Sequence, residues 1–498
     1  MGRSTPWDIA REPPLGLAIA FSVGVRLAFH HLYDLSYDLD AGWWQMLDPE
    51  LIRTAPLQSI YLMHMQPPLL NMLYAAAVAL PGTLGFTLLH LLFAGASLAV
   101  VAMLYAFIRR FGASPWTAGA GAALFGVLPQ VVLYENLFFY AQLEAVLVLA
   151  AAAFAASYFE RRRLAPFVGF AACLVVLGML RSLFHLGWVV TVLIGACVLA
   201  SRHRDWDRRA IAVAAASIFV VASVYVKNLK EFGIFSASSW DGISLMSMAM
   251  PMRGGDEVKF APALDDIRGR AERGELSPAT AEALEHGDVW WGWLGSAKDC
   301  NAGRERREVL CAIVDSHGEP NFNHIAIVGY SRDLARDAWR VLRLHPRVYL
   351  DHAGSSLLTF LGTPSWDYRH IPFKLAAYTS AWNRLLLYES VHTFRGTGRV
   401  ATGWWESTMN RLAASSLPLL FLIVAGSAFI VLAGIGDAIG YWRGTRPTAD
   451  WAFPMLVLAL FVSVPNLING VETQRIRYSI EPLIYLAIFA GVLKWRSR

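Results

Sequence analysis

Apolar stretches of about twenty residues, nearly free of charge, recur along this chain, and no other feature restricts its fold as much. A segment of that kind crosses the ~30 Å hydrocarbon core of a bilayer as one helix, because each backbone N–H and C=O must find its partner within the segment. Runs of this length are read at 13–31, 84–108, 115–134, 137–158, 164–182, 183–200, 209–226, 414–436, 452–469 and 479–495, about ten in all. Hydrophobic residues make up 56% of the 498 and charged residues only 16%, a balance foreign to soluble globular domains. The first run has no small-residue cleavage site behind it and is read as a retained helix.

The run 67–81 is also apolar, but it is short and opens on Pro67-Pro68, so it is read as a juxtamembrane or re-entrant helix. Charge tests that choice, since Lys and Arg in short loops mark the cytoplasmic side. The clusters are Arg3/Arg11, Arg109/Arg110, Arg161/Arg162/Arg163, Arg202/Arg204/Arg208/Arg209, Arg443/Arg446 and Lys494/Arg496/Arg498. All fall on one side if 67–81 does not cross; if it crosses, those after it face away from the first. The expected protein is a multi-pass protein of the plasma (inner) membrane with both termini in the cytoplasm. No nucleic-acid partner is expected; the bilayer is.

Three stretches then face outward: the first loop 32–83, a polar insert 227–413 and a short loop 466–482. The chain divides into a transmembrane module 1–226 that includes the first outer loop, an extracytoplasmic insert domain 227–413, and C-terminal transmembrane helices 414–498. The insert, about 185 residues, has the size of a small domain. Within it, 256–286 is charged and expected helical, and Trp290, Trp291 and Trp293 cluster. The stretch 331–344 reads as an amphipathic helix, with Ser331 as N-cap and Leu334, Ala338, Val341 and Leu342 at helical spacing. Cys300 and Cys311 lie in this insert and can form a disulfide if it faces an oxidising compartment, whereas Cys173 and Cys197 sit in apolar runs as small core residues. No CxxC or His-rich spacing suggests zinc.

Carboxylates at the mouth of a membrane bundle are costly to keep there and are functional candidates for that reason. Asp38 and Asp40 are two apart and share a face in an extended segment. Together they can act as general base or hold a divalent cation, and Asp38 can instead cap a helix beginning near Ala41. His64 and Gln66 are held at the membrane surface by Pro67-Pro68, facing one cavity or simply solvated in an interfacial turn. Glu135, Tyr140 and Glu144 lie around the second outward loop; Glu135 can face the same cleft as Asp40, while Glu144 is deeper and serves either catalysis or structure. Arg475, Arg477 and Tyr478 lie in the last outward loop, where the positive-inside bias disfavours arginine. The planar guanidinium suits phosphate, and snorkelling at the interface is the alternative. Arg181 sits at an outward helix–helix turn, as a phosphate ligand or a partner for Glu144, and Arg26 inside the first span is expected to pair with another helix.

Taken in order, these motifs resemble the GT-C superfamily of membrane glycosyltransferases, which includes protein O-mannosyltransferases, the aminoarabinose transferase of lipid A and actinobacterial arabinofuranosyltransferases. Three elements carry the resemblance: Asp38/Asp40 with Gly42-Trp43-Trp44 in the first outward loop, Gln66-Pro67-Pro68-Leu69 before a helix, and the Arg-containing loop 475–482 before the final span. It covers the first 230 residues or so and the last span. The resemblance implies a polytopic helical membrane protein, a GT-C-like bundle of about ten transmembrane helices with juxtamembrane helices in the first outer loop and an extracytoplasmic mixed insert domain. It implies inverting transfer of a sugar from a polyprenyl-phosphate donor to an acceptor hydroxyl of a cell-envelope glycan, lipid or protein. Asp40, Asp38 and Glu135 would be catalytic. Arg475, Arg477, His64, Gln66 and Arg181 would hold the donor phosphate, and Trp43, Trp44, Tyr140, Glu144 and Tyr478 would line the substrate site. Some members use a divalent metal (Mg or Mn), for which Asp38 and Asp40 would be the ligands; no other cofactor is implied. The usual Asp-Glu pair is Asp40-Ala41 here, so a second acid would have to be Asp38 or Glu135. A transporter or flippase of a lipid-linked glycan, an oligosaccharide ligase and a non-catalytic scaffold are the competing readings.

Overall fold

The computed structural model describes residues 11–33, 45–201, 207–251, 256–297, 300, 306–361 and 473–496. Regular structure among them is helical, apart from isolated bridge positions such as Val314 opposite Pro320. The expected mixed character of the insert is therefore corrected: its described residues form helices and turns, with no strand among them. The expected spans 414–436 and 452–469 lie outside the described residues.

Helix α1 (Pro13–Tyr33) opens on two prolines, which fit a first turn whose N–H groups have no helical acceptor. The first loop carries α2 (Pro49–Thr54), α3 (Pro56–Tyr61) and α4 (Leu69–Val78). Asp48 caps α2, accepting the N–H of Glu50 at 2.9 Å. Helix α4 is about 15 Å long, half of what a straight crossing requires.

The bundle continues with α5 (Leu84–Arg110), α6 (Pro115–Gly126), α7 (Pro129–Glu135), α8 (Tyr140–Arg161), α9 (Leu164–Leu180), α10 (Leu186–Ser201) and α11 (Arg208–Phe232). Among the described residues, α5, α8 and α11 are long and apolar enough to cross a membrane, and shorter apolar helices accompany them. The single span expected over 115–134 is interrupted between α6 and α7. Pro129 has no N–H to offer the Phe125 carbonyl, which accepts from Leu128 at 3.1 Å instead. Asp207 caps α11 at its start and Gly233, at φ 69°, ends it in the left-handed region.

Ion pairs show which helix ends lie together. Arg109 at the end of α5 meets Glu12 just before α1 at 2.8 Å, and Arg110 meets Glu160 of α8 at 3.2 Å. The basic ends of α5 and α8 and the start of α1 thus share one end of the bundle; the first loop and the insert occupy the other.

The insert contains α12 (Asp241–Ala249), α13 (Ala261–Glu272), α14 (Pro278–His286), α15 (Ala326–Leu344) and α16 (Pro346–Leu361). Beyond it, α17 (Thr473–Tyr478) leads through a turn into α18 (Glu481–Arg496). Leu47, Ile52, Met63 and Met65 of the first loop belong to the same apolar core as Trp240, Met246, Trp293, Phe322 and Leu334. A polar seam joins them as well: His64 N–H donates to Asn323 Oδ1 at 2.9 Å, Asn323 Nδ2 to the Leu62 carbonyl at 3.3 Å, Ser239 N–H to the His64 carbonyl at 2.8 Å, and Ser238 Oγ to the Met65 carbonyl at 2.6 Å. The Cys300–Cys311 disulfide is formed.

Helix α15 starts five residues earlier than the expected 331–344. Ser331 is not its cap; it is buried within the helix, and its Oγ accepts the Gly242 N–H at 3.0 Å. The crossing of α12 and α15 there is so close that a Cβ on Gly242 would stand 1.8 Å from the Ser331 carbonyl oxygen, while one on Gly329 would meet nothing within 4 Å. Gly242→Ala is expected to cost at least ~2 kcal/mol by overpacking. Thermal unfolding of the purified protein checks this, with Gly329→Ala as the substitution that leaves the midpoint unchanged or raised.

Candidate functional site

The ends of the bundle helices nearest the insert hold a layer of buried charge. Arg26, on α1, pairs with Glu135 at the end of α7 at 2.6 Å and gives a further N–H to the Ser22 carbonyl at 2.9 Å. Glu144, in the second turn of α8 and wholly buried, faces Arg181 at 3.4 and 3.5 Å and accepts a hydrogen bond from the Ser479 hydroxyl. Arg477 pairs with Glu481 at 2.9 Å, and the other oxygen of Glu481 accepts from Gln130 Nε2 at 3.1 Å. Three guanidiniums thus stand against three carboxylates. Each pair joins groups that would be prohibitively costly to bury alone.

Aromatic and amide groups complete the layer. Tyr478 donates to Gln142 Oε1 at 2.6 Å and its ring lies 4.3 Å from that of Tyr134. The Arg181 guanidinium lies 5.6 Å from the Tyr140 ring centroid. Gln66 accepts from the Ser182 hydroxyl at 2.9 Å, which brings the first loop to the turn after α9. Residues from the start, middle and end of the chain therefore meet in one layer.

His64 does not join Gln66, contrary to the expectation of one shared cavity. It turns into the seam with the insert, because its backbone is already clamped there by Asn323 and Ser239. Its Nδ1 lies 2.8 Å from Ser239 Oγ and its ring 4.7 Å from that of Phe232. Burial, and then the ammonium of Lys227 nearby, push the imidazole down to about 3, so the ring is neutral. Its Nε2 is buried with no hydrogen-bond partner.

Asp38, Asp40, Trp43 and Trp44 lie outside the described residues, as does the side chain of Arg475. Among the described residues no group of three or more His, Cys, Asp or Glu is placed to hold a metal ion. Sequence reasoning missed Gln130, Gln142 and Glu481, each a polar residue beside or within an apolar run, which is itself a signal. It also missed Ser182, Ser239, Ser479 and Asn323, for which the sequence carries no signal, since their partners lie far away along the chain. Compared with known protein families, curated proteins and solved structures, the chain matches none.

Removing one member of a buried pair leaves the other uncompensated. Glu144→Gln is expected to lower stability by about 3–5 kcal/mol, and adding Arg181→Met to recover much of it; thermal unfolding of the single and double variants is the measurement. The pH dependence of His64 has a definite sign. The unfolded chain takes up its proton near 6.5 and the folded chain only near 3. Between those values the unfolded state binds more protons, so stability falls as the pH drops, by about 1.4 kcal/mol per unit for this one group. His64→Gln is expected to flatten the unfolding midpoint against pH by that share.

Proposed function

We propose that this chain is a membrane glycosyltransferase of the GT-C kind, moving a sugar from a polyprenyl-phosphate donor to an acceptor hydroxyl at the extracytoplasmic face. The observation that supports it best is the convergence of Gln66, Glu135, Glu144, Arg181 and Arg477 on one layer, at the bundle end away from Arg109 and Arg110. Gln66 and Arg477 lie in stretches that carry the family resemblance, and a scaffold needs no such layer. With the basic ends in the cytoplasm, the layer and the insert face outward.

In this reading Asp40 takes the proton from the acceptor hydroxyl as its oxygen attacks the anomeric carbon. The bond from that carbon to the phosphate oxygen breaks on the opposite face, with inversion, and the polyprenyl phosphate leaves with the electron pair. Arg475, Arg477 and Arg181 lie toward the leaving group, where fixed positive charge lowers the barrier by meeting the negative charge that develops. Arg181 and Arg477 keep carboxylate partners, which fixes their orientation before substrate arrives. Trp43, Trp44, Tyr140 and Tyr478 supply faces on which sugar and isoprenoid can lie. The insert selects the acceptor, as added domains on a shared scaffold do.

The break between α6 and α7 is the one feature that favours a second reading, a transporter that passes an intact lipid-linked glycan past an interrupted helix. Both readings are tested in reconstituted vesicles with a short-chain polyprenyl-phosphate sugar. Transfer releases polyprenyl phosphate, and Asp40→Asn is expected to lower turnover by about 10²–10⁴ while donor affinity stays within a few-fold. Transbilayer movement of uncleaved donor, or near-normal turnover in Asp40→Asn, would favour the transporter or remove Asp40 from the chemistry.

A further inference from the structure

Each guanidinium of the polar layer has a carboxylate against it; Lys227 has none among the described residues. This lysine projects from α11 in its last two turns, and its ammonium donates to the Met63 carbonyl. Glu231, one turn on, is already engaged by the Tyr61 hydroxyl at 2.6 Å and by Arg306 at 2.9 Å. An ammonium has three N–H donors, so the position is half-buried, cationic and underused. That state is costly unless an anion completes it.

Depth narrows the identity of that anion. Lys227 stands about 28 Å along α11 from Arg208, at 1.5 Å per residue, close to the ~30 Å thickness of the hydrocarbon core. With Arg208 at one headgroup layer, Lys227 reaches the other, where lipid phosphates lie. On the face of α11 that carries Lys227, Val220 two turns back is 43% exposed and Lys230 one turn on is exposed as well, so this face is open to lipid. The His64 ring and the Lys227 ammonium flank the same Phe232 ring, at 4.7 and 5.6 Å from its centroid, and His64 Nε2 is buried without a partner.

We propose that Lys227 binds the phosphate of a membrane lipid at this headgroup level, and that this lipid is the polyprenyl-phosphate donor. The second half of that statement rests on the function proposed above; the phosphate site itself does not. Lys227 then supplies the charge that Arg181 and Arg477, already shared with Glu144 and Glu481, deliver only in part.

The test uses the full-length protein in nanodiscs, as wild type, Lys227→Gln and Lys227→Arg. Binding of a short-chain polyprenyl phosphate and of phosphatidylglycerol is followed by native mass spectrometry, with thermal unfolding as the control for folding. Lys227→Gln is expected to weaken the polyprenyl phosphate about tenfold or more, the value of a charge-assisted hydrogen bond, and Lys227→Arg to retain most of the affinity. Equal binding by wild type and Lys227→Gln overturns the proposal and leaves the transferase reading intact. Equal, Lys227-dependent binding of both lipids supports the phosphate site and overturns its assignment to the donor. A wild type that holds phosphatidylglycerol but no polyprenyl phosphate counts against the transferase reading instead.

Discussion

Glu144 can remain a carboxylate inside this bundle only because Arg181 and Ser479 reach it from two other parts of the chain. An ion of that size costs several kcal/mol to dehydrate even after the protein relaxes around it. The need for a counter-charge therefore fixes where α8, the end of α9 and the turn before α18 must meet. The same requirement acts on Glu135 through Arg26 and on Glu481 through Arg477 and Gln130. Apolar faces let these helices pack in many relative positions, because contacts between aliphatic side chains are non-directional. The three ion pairs and their hydrogen bonds do not. They make the end of the bundle near the insert the part with a specified geometry.

The second organising contact is the seam between the first loop and the insert. Asn323 reads both Leu62 and His64 of the loop, Ser238 and Ser239 read Met65 and His64, and Leu47, Ile52, Met63 and Met65 enter the insert's apolar core. Gln66, the next residue, is the point at which the chain turns from that core to the bundle, at Ser182. The stretch 62–66 thus couples the two: it is held to the insert through Leu62, His64 and Met65 and to the bundle through Gln66.

Much of this was legible in the sequence, and the legible part follows from periodicity and solvent. The run 67–81 reads as juxtamembrane or re-entrant because it is short and opens on Pro67-Pro68, and the helix within it, Leu69–Val78, has ten residues. Arg26 was expected to pair with another helix, and Arg181 either to bind phosphate or to pair with Glu144; both are paired with carboxylates. The break before Pro129 was missed because the apolar run continues through it; composition reports burial, not hydrogen bonding. Ser331 was read as a cap because serine favours that place, but tertiary packing against Gly242 used its hydroxyl instead. His64 and Gln66 were assigned one cavity, or an interfacial turn, because Pro67-Pro68 fixes the backbone beside them, yet each follows a partner more than a hundred residues away. Spacing along the chain carries no information about that.

The seam also has a consequence for how the molecule is made. His64 and Asn323 are separated by 259 residues. At a synthesis rate of about 5–20 residues per second, the first loop emerges roughly 13–50 s before its partner exists. Throughout that interval Leu47, Ile52, Met63 and Met65 have no core to enter, and six or more apolar helices are still being inserted behind them. The seam therefore forms only after a wait that is set by the order of the chain.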